Sequence, residues 1–62
     1  MKRHYRETKA QRQANWLAEF SDAVLAVNPS LSGRIDWDTA THLMFSGMAP
    51  KDAAARYLAS LA

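Results

Sequence analysis

Two aspartates and a histidine are the residues whose types and spacing come closest to those of a catalytic site. Asp36 and Asp38 are two positions apart, and His42 follows Asp38 by four residues, about one helical turn. A carboxylate beside an imidazole resembles a general base and the group that orients it. However, the chain has no cysteine nucleophile, no glycine-rich phosphate loop and no nucleophile elbow. We therefore expect the aspartates to stabilise a helix start, and we expect neither catalysis nor a small-molecule substrate.

Metal ions and cofactors are not expected either. His4 and His42 are the only imidazoles, and no carboxylates cluster around them at ligand spacing. The absence of cysteine excludes disulfides and the commonest zinc sites. A chain of 62 residues forms one small domain that buries a limited core. Oligomerisation or a bound partner therefore remains as an additional source of stability.

The longest predicted element is an N-terminal helix. No glycine or proline interrupts residues 6 to 27, and Leu17, Phe20, Val24 and Val27 form the apolar stripe of an amphipathic helix. Pro29 ends this helix because the residue before a proline is disfavoured in helical conformation. The sequence thus predicts a long helix over about 6–27 whose buried part stops near Trp16.

A helical hairpin is predicted after it. Asp36 is suited to cap a helix over about 37–46, and Gly47 is suited to the left-handed conformation that ends one. Pro50 favours the first turn of a last helix over about 50–61. The sequence therefore predicts an all-α, three-helix protein, with the single domain covering residues 1–62 and the hairpin packing on the long helix.

The elbow of the hairpin, within MFSGMAPKDAAARYL, is not expected to read DNA. Leu43 stands four positions before Gly47, where a helix-turn-helix usually has a small residue. The following helix would present mostly alanines to the bases, and alanine has no side-chain hydrogen-bonding groups. We expect the elbow only to close the core.

A basic arm covers residues 1–12, which carry five cations and one carboxylate, a net charge of +4, whereas the rest of the chain has a net charge of −2. Part of the arm forms a stripe with the aromatic residues, because Tyr5, Lys9, Arg12 and Trp16 fall within roughly 60° on a helical wheel. Such a stripe suits phosphates or an acidic protein surface. The predicted electrostatic contacts are Lys2, Arg3, Tyr5, Arg6, Lys9 and Arg12.

Apolar residues beyond those needed for one core form the second candidate surface. Leu25 is predicted on the far side of the first helix from Phe20. The apolar residues of the second helix spread over roughly 200°, about twice the arc that faces one core. We predict partner contacts through Trp16, Leu25, Leu43 and Phe45.

The sequence favours a non-catalytic protein-interaction module, such as an adaptor or an inhibitor that docks on a larger protein, with a homodimer as one form of partnership. Nonspecific nucleic-acid binding through the basic arm is the alternative. The chain has no apolar run long enough for a signal peptide or a membrane span, so a cytoplasmic location without membrane contact is expected.

Overall fold

The computed structural model describes residues 8–61 and confirms the all-α fold over that range. It contains helix α1 over Lys9–Val27, a short 3-10 helix over Pro29–Leu31, helix α2 over Trp37–Phe45 and helix α3 over Pro50–Leu61. The long helix packs against both helices of the hairpin. The predicted bounds of the third helix agree with the structure, and the second helix ends one residue earlier than expected.

Helix α1 begins at Lys9 and not at about residue 6, because Thr8 caps it. Thr8 has extended backbone angles, and its Oγ1 accepts a hydrogen bond from the backbone N–H of Gln11 at 3.0 Å. A threonine followed three positions later by glutamine is a known helix-start pattern. Lys9 and Arg12, the two cations of the predicted stripe, therefore lie in the first turn of a capped helix.

Asp36 caps helix α2 as expected. Its Oδ1 accepts hydrogen bonds from the backbone N–H groups of Asp38 at 3.1 Å and Thr39 at 3.3 Å, and its Oδ2 accepts one from the Thr39 hydroxyl at 2.9 Å. The backbone N–H of Asp36 donates to the Tyr57 hydroxyl at 3.0 Å. The start of α2 is thereby tied to α3.

The cap makes stability depend on pH. The hydroxyl of Thr39 lowers the pKa of Asp36 most, and the backbone N–H groups of Thr39 and Asp38 lower it further. Together these hydrogen bonds outweigh desolvation, which raises the pKa. A carboxylate whose pKa is lower in the folded state stabilises the fold at pH values above its unfolded pKa of about 4. This stabilisation is lost as the pH falls through the folded pKa.

We therefore predict that Asp36→Asn is less stable than the natural protein at about pH 7 and that this difference shrinks at about pH 2.5. The asparagine keeps an oxygen acceptor for the cap but carries no charge. Thermal melts of both proteins at the two pH values measure the difference, in which contributions of the other carboxylates cancel. A difference that grows on acidification would contradict this account of the cap.

The elbow between α2 and α3 closes the core, as expected. Gly47 has a φ of +90°, the left-handed conformation predicted for it, and its N–H donates to the Met44 carbonyl at 3.1 Å. Ala53 is fully buried and Ala54 is 2% exposed. These side chains face the protein's own core, so they are not available to contact bases.

The core lies along the C-terminal part of α1. Phe20 is fully buried at its centre, with its ring stacked on Trp16 at 5.4 Å between centroids and edge-on to Tyr57 at 5.5 Å. Both geometries are favourable for aromatic pairs. The buried residues are Phe20, Val24, Ile35, Ala40, Ala53, Ala54 and Tyr57. Residues 8–12 are all exposed, so α1 extends beyond the core towards its N-terminus, as predicted.

Candidate binding groove

A groove lies where the N-terminal half of α1 passes the end of α2. Its volume is about 380 Å³, and it is open to solvent. Six of the described residues line it: Lys9, Arg12, Gln13, Trp16, Met44 and Phe45. We call this set the groove. It combines three large apolar side chains with two cations and one amide, and no carboxylate among residues 8–61 lines it.

Helix geometry explains the α1 side of the groove. Lys9, Arg12, Gln13 and Trp16 are spaced by three, four and seven residues from Lys9, which places them on one helical face. This face is the continuation of the stripe that carries Phe20 into the core. Residues 8–12 are exposed, so the side chains in the first turn of α1 remain on the surface.

Trp16 forms the boundary between the groove and the core. Its indole Nε1–H donates to the Met48 carbonyl at 2.9 Å, and its ring stacks on Phe20 with 13° between the planes. A hydrogen bond at one edge and stacking on one face restrict the rotamer of this half-buried ring. The groove therefore has one rigid aromatic wall that is attached to the folded core.

The α2 side of the groove is formed where that helix ends. Met44 is half-buried. Phe45 follows it as the last residue of the helix and is 68% exposed. Ser46 follows as the C-cap, and its hydroxyl donates to the Leu43 carbonyl at 2.7 Å. Capping fixes the backbone at this point and so holds the Phe45 side chain at the surface.

The charge of the groove differs from that of the rest of the described chain. Residues 8–61 contain five cations and five carboxylates and are neutral overall. Lys9 and Arg12 lie together at the groove, and neither has an ion-pair partner within residues 8–61. Residues 1–7 lie outside the described range, and their sequence adds three cations and one carboxylate.

The structure brings together four of the residues predicted to make contacts: Trp16 and Phe45 from the apolar set, and Lys9 and Arg12 from the basic arm. Leu43 is half-buried against the core. Four further residues of the arm, Lys2, Arg3, Tyr5 and Arg6, lie outside the described residues, so their predicted contacts stay predictions.

Leu25 differs from expectation. It was predicted on the far side of α1 from Phe20, but it is half-buried and packs against the edge of the core. Contacts with other parts of the fold therefore bury it, and the segment that follows α1 is one part that contacts this helix. A helical wheel of one isolated helix does not include such a contact. Leu25 is therefore less available to a partner than predicted.

Gln13 and Met44 were not among the predicted site residues. Met44 belongs to the wide apolar arc of the second helix, which was the available signal for it. Gln13 lies four residues after Lys9 and three before Trp16, so the helical stripe of the basic arm also pointed to it. Neither signal indicated that the two stripes would form opposite sides of one groove.

A second depression, of about 300 Å³, lies between α1 and α3. It is lined by Glu19, Asp22, Ala23 and Lys51, which combine both signs of charge and only one small apolar side chain. It lacks a large apolar anchor of the kind that dominates binding energy. The groove is therefore the stronger candidate for a binding site.

The residues considered for catalysis have other surroundings. The Asp36 carboxylate is occupied by the helix cap, and His42 is exposed. In the part of the chain that the structure describes, no three side chains of histidine, cysteine, aspartate or glutamate come together as a candidate metal site.

The described helices also bear on the membrane. No helix within residues 8–61 is both long enough and apolar enough to cross a bilayer. Comparisons with models of protein families, with curated proteins and with solved structures gave no match.

Proposed function

We propose that this protein is a small, non-catalytic interaction module, an adaptor or inhibitor that docks on a larger protein through the groove. The observation that carries the proposal is the 68% exposure of Phe45 beside Met44 and Trp16. Single exposed apolar residues are common, but aromatic side chains grouped at a rigid concave site are typical of interfaces. The cations at the rim add steering and specificity.

The energetics favour a modest but specific contact. Covering a large apolar side chain contributes about 1.5–3 kcal/mol, so Phe45 is suited to act as the main anchor. The indole of Trp16 is already held by its hydrogen bond and its stacking on Phe20. Little conformational entropy is therefore lost at that wall when a partner binds.

Site-specific photo-crosslinking in cells of the natural host tests the proposal. A benzophenone amino acid at position 45 should give a discrete product with another protein, whereas the same group at position 27 should not. Val27 is the matched control because it is 71% exposed and does not line the groove. A product of twice the 6.9 kDa chain mass would identify a homodimer as the partnership. Equal product patterns at both positions, or none at position 45, would contradict the proposal.

Nonspecific nucleic-acid binding is the second candidate, favoured by the position of Lys9 and Arg12 beside an aromatic ring. Under this alternative, affinity for a random single strand or duplex falls steeply as salt rises. Replacing Lys9 and Arg12 with alanine should then reduce the salt slope by about one per lost phosphate contact. Absence of binding at low salt would exclude this candidate.

A further inference from the structure

The groove combines features that select one kind of occupant. Trp16, Met44 and Phe45 provide apolar surface, and Lys9 and Arg12 provide positive charge at the same place. Since no carboxylate of residues 8–61 lines the groove, an anionic group that enters it meets no repulsion from the described lining. An apolar side chain with no adjacent charge would use only part of this surface.

We propose that the groove binds an acidic segment of a partner protein, which places an apolar side chain between Trp16 and Phe45 and sets carboxylates against Lys9 and Arg12. This inference rests on the proposed function and adds the chemistry of the partner to it. Charge complementarity carries it, because the two cations have no ion-pair partner within residues 8–61. An arginine can form a bidentate pair with a carboxylate, which gives orientation as well as attraction.

The dimensions agree with a segment of chain. A volume of about 380 Å³ is near the lower end for ligand sites, and the groove is open along the surface. An open groove lets a polypeptide continue on both sides of the inserted side chain. A nucleic-acid duplex fits less well, since its bases are already stacked on one another and its affinity derives mostly from phosphate contacts, which leaves the three large apolar side chains unused.

Fluorescence anisotropy with a defined probe tests the inference. The probe is a short labelled peptide in which glutamates flank a central leucine and phenylalanine. We expect binding to the natural protein, at least about tenfold weaker binding to the double variant Lys9→Glu/Arg12→Glu, and similar weakening by Phe45→Ser. A peptide with glutamine in place of every glutamate should bind at least about tenfold more weakly as well.

Matched controls separate the groove from overall charge and surface apolarity. Arg34→Glu/Arg56→Glu makes the same change in net charge at two exposed positions outside the groove lining, and Val27→Ser removes an equally exposed apolar side chain. Both should change affinity less than about threefold. Circular dichroism on every variant verifies that the helices are retained.

Three outcomes would overturn the inference: no binding of the peptide, equal weakening by the control double variant, or equal binding of the glutamine peptide. A fourth outcome would overturn it in favour of nucleic acid. This is direct binding of a labelled random duplex that is lost with Lys9→Glu/Arg12→Glu but kept with Phe45→Ser. The proposed function is tested separately. If the peptide fails while the crosslink at position 45 persists, the interaction module stands with a partner of different chemistry.

Discussion

Replacing Phe20 with alanine should lower the free energy of unfolding by about 3–5 kcal/mol. Phe20 is fully buried, and its ring contacts both Trp16 and Tyr57, so its removal leaves a cavity and ends two aromatic contacts. The single core of a chain below about 70 residues rarely supplies more than about 3–5 kcal/mol. We therefore expect Phe20→Ala to be largely unfolded at 25 °C by circular dichroism and urea titration.

Phe45→Ala is the matched control, since it makes the same chemical change at a position that is 68% exposed. Its effect on the free energy of unfolding should stay within about 0.5 kcal/mol. This comparison also separates stability from binding, because Phe45 is assigned to the groove. Equal losses of stability in the two variants would contradict the packing described here.

Enlarging a buried alanine should also have a large effect. Ala53 is fully buried in the core, to which all three α-helices contribute, so Ala53→Leu has no space for its added side chain. Overpacking of this kind lowers the free energy of unfolding by about 1–3 kcal/mol. Urea titration measures the loss, and it should appear as a lower midpoint with little change in slope.

Ala55→Leu provides the control in the same helix. Ala55 is exposed, and leucine is nearly as good a helix former as alanine, so the substitution should change stability by less than about 0.5 kcal/mol. If both substitutions destabilised equally, helix propensity and not close packing would explain the result. The role of the buried alanines in the hairpin would then be refuted.

Local signals were sufficient to predict much of the fold. Asp36, Gly47 and Pro50 each act within one turn of the chain, and the structure has them at the helix ends where they were expected. The predicted start of α1 at about residue 6 is wrong because it depends only on the absence of glycine and proline from residues 6 to 27. Thr8 followed by Gln11 was nevertheless a local signal that could have given the correct start.

Contacts between distant positions could not be predicted in the same way. The bond from Trp16 to the Met48 carbonyl joins residues 32 apart, and the bond from Asp36 to the Tyr57 hydroxyl joins residues 21 apart. Each depends on the angle and distance between helices, which no short window of sequence encodes. Leu25 illustrates the same limit, because its partial burial depends on packing against the core, which a helical wheel of one helix does not include.

The groove depends both on local helix patterns, which the sequence shows, and on a contact between distant segments, which it does not. The sequence identified Lys9, Arg12 and Trp16 as one stripe and Phe45 as part of an over-wide apolar arc. It treated them as two surfaces, because nothing local shows that α2 ends beside the N-terminal half of α1. The structure joins the two surfaces, and the hypothesis of an acidic partner with an apolar anchor depends on that junction.

The most direct test of the groove as the binding site is amide chemical-shift mapping by NMR. The ¹⁵N-labelled protein is titrated with the acidic peptide that contains leucine and phenylalanine. The largest shifts should fall on Lys9, Arg12, Met44, Phe45 and the indole N–H of Trp16. Shifts concentrated instead around Val27, Trp37 and Leu61, the large exposed apolar residues outside the groove within residues 8–61, would contradict the central claim.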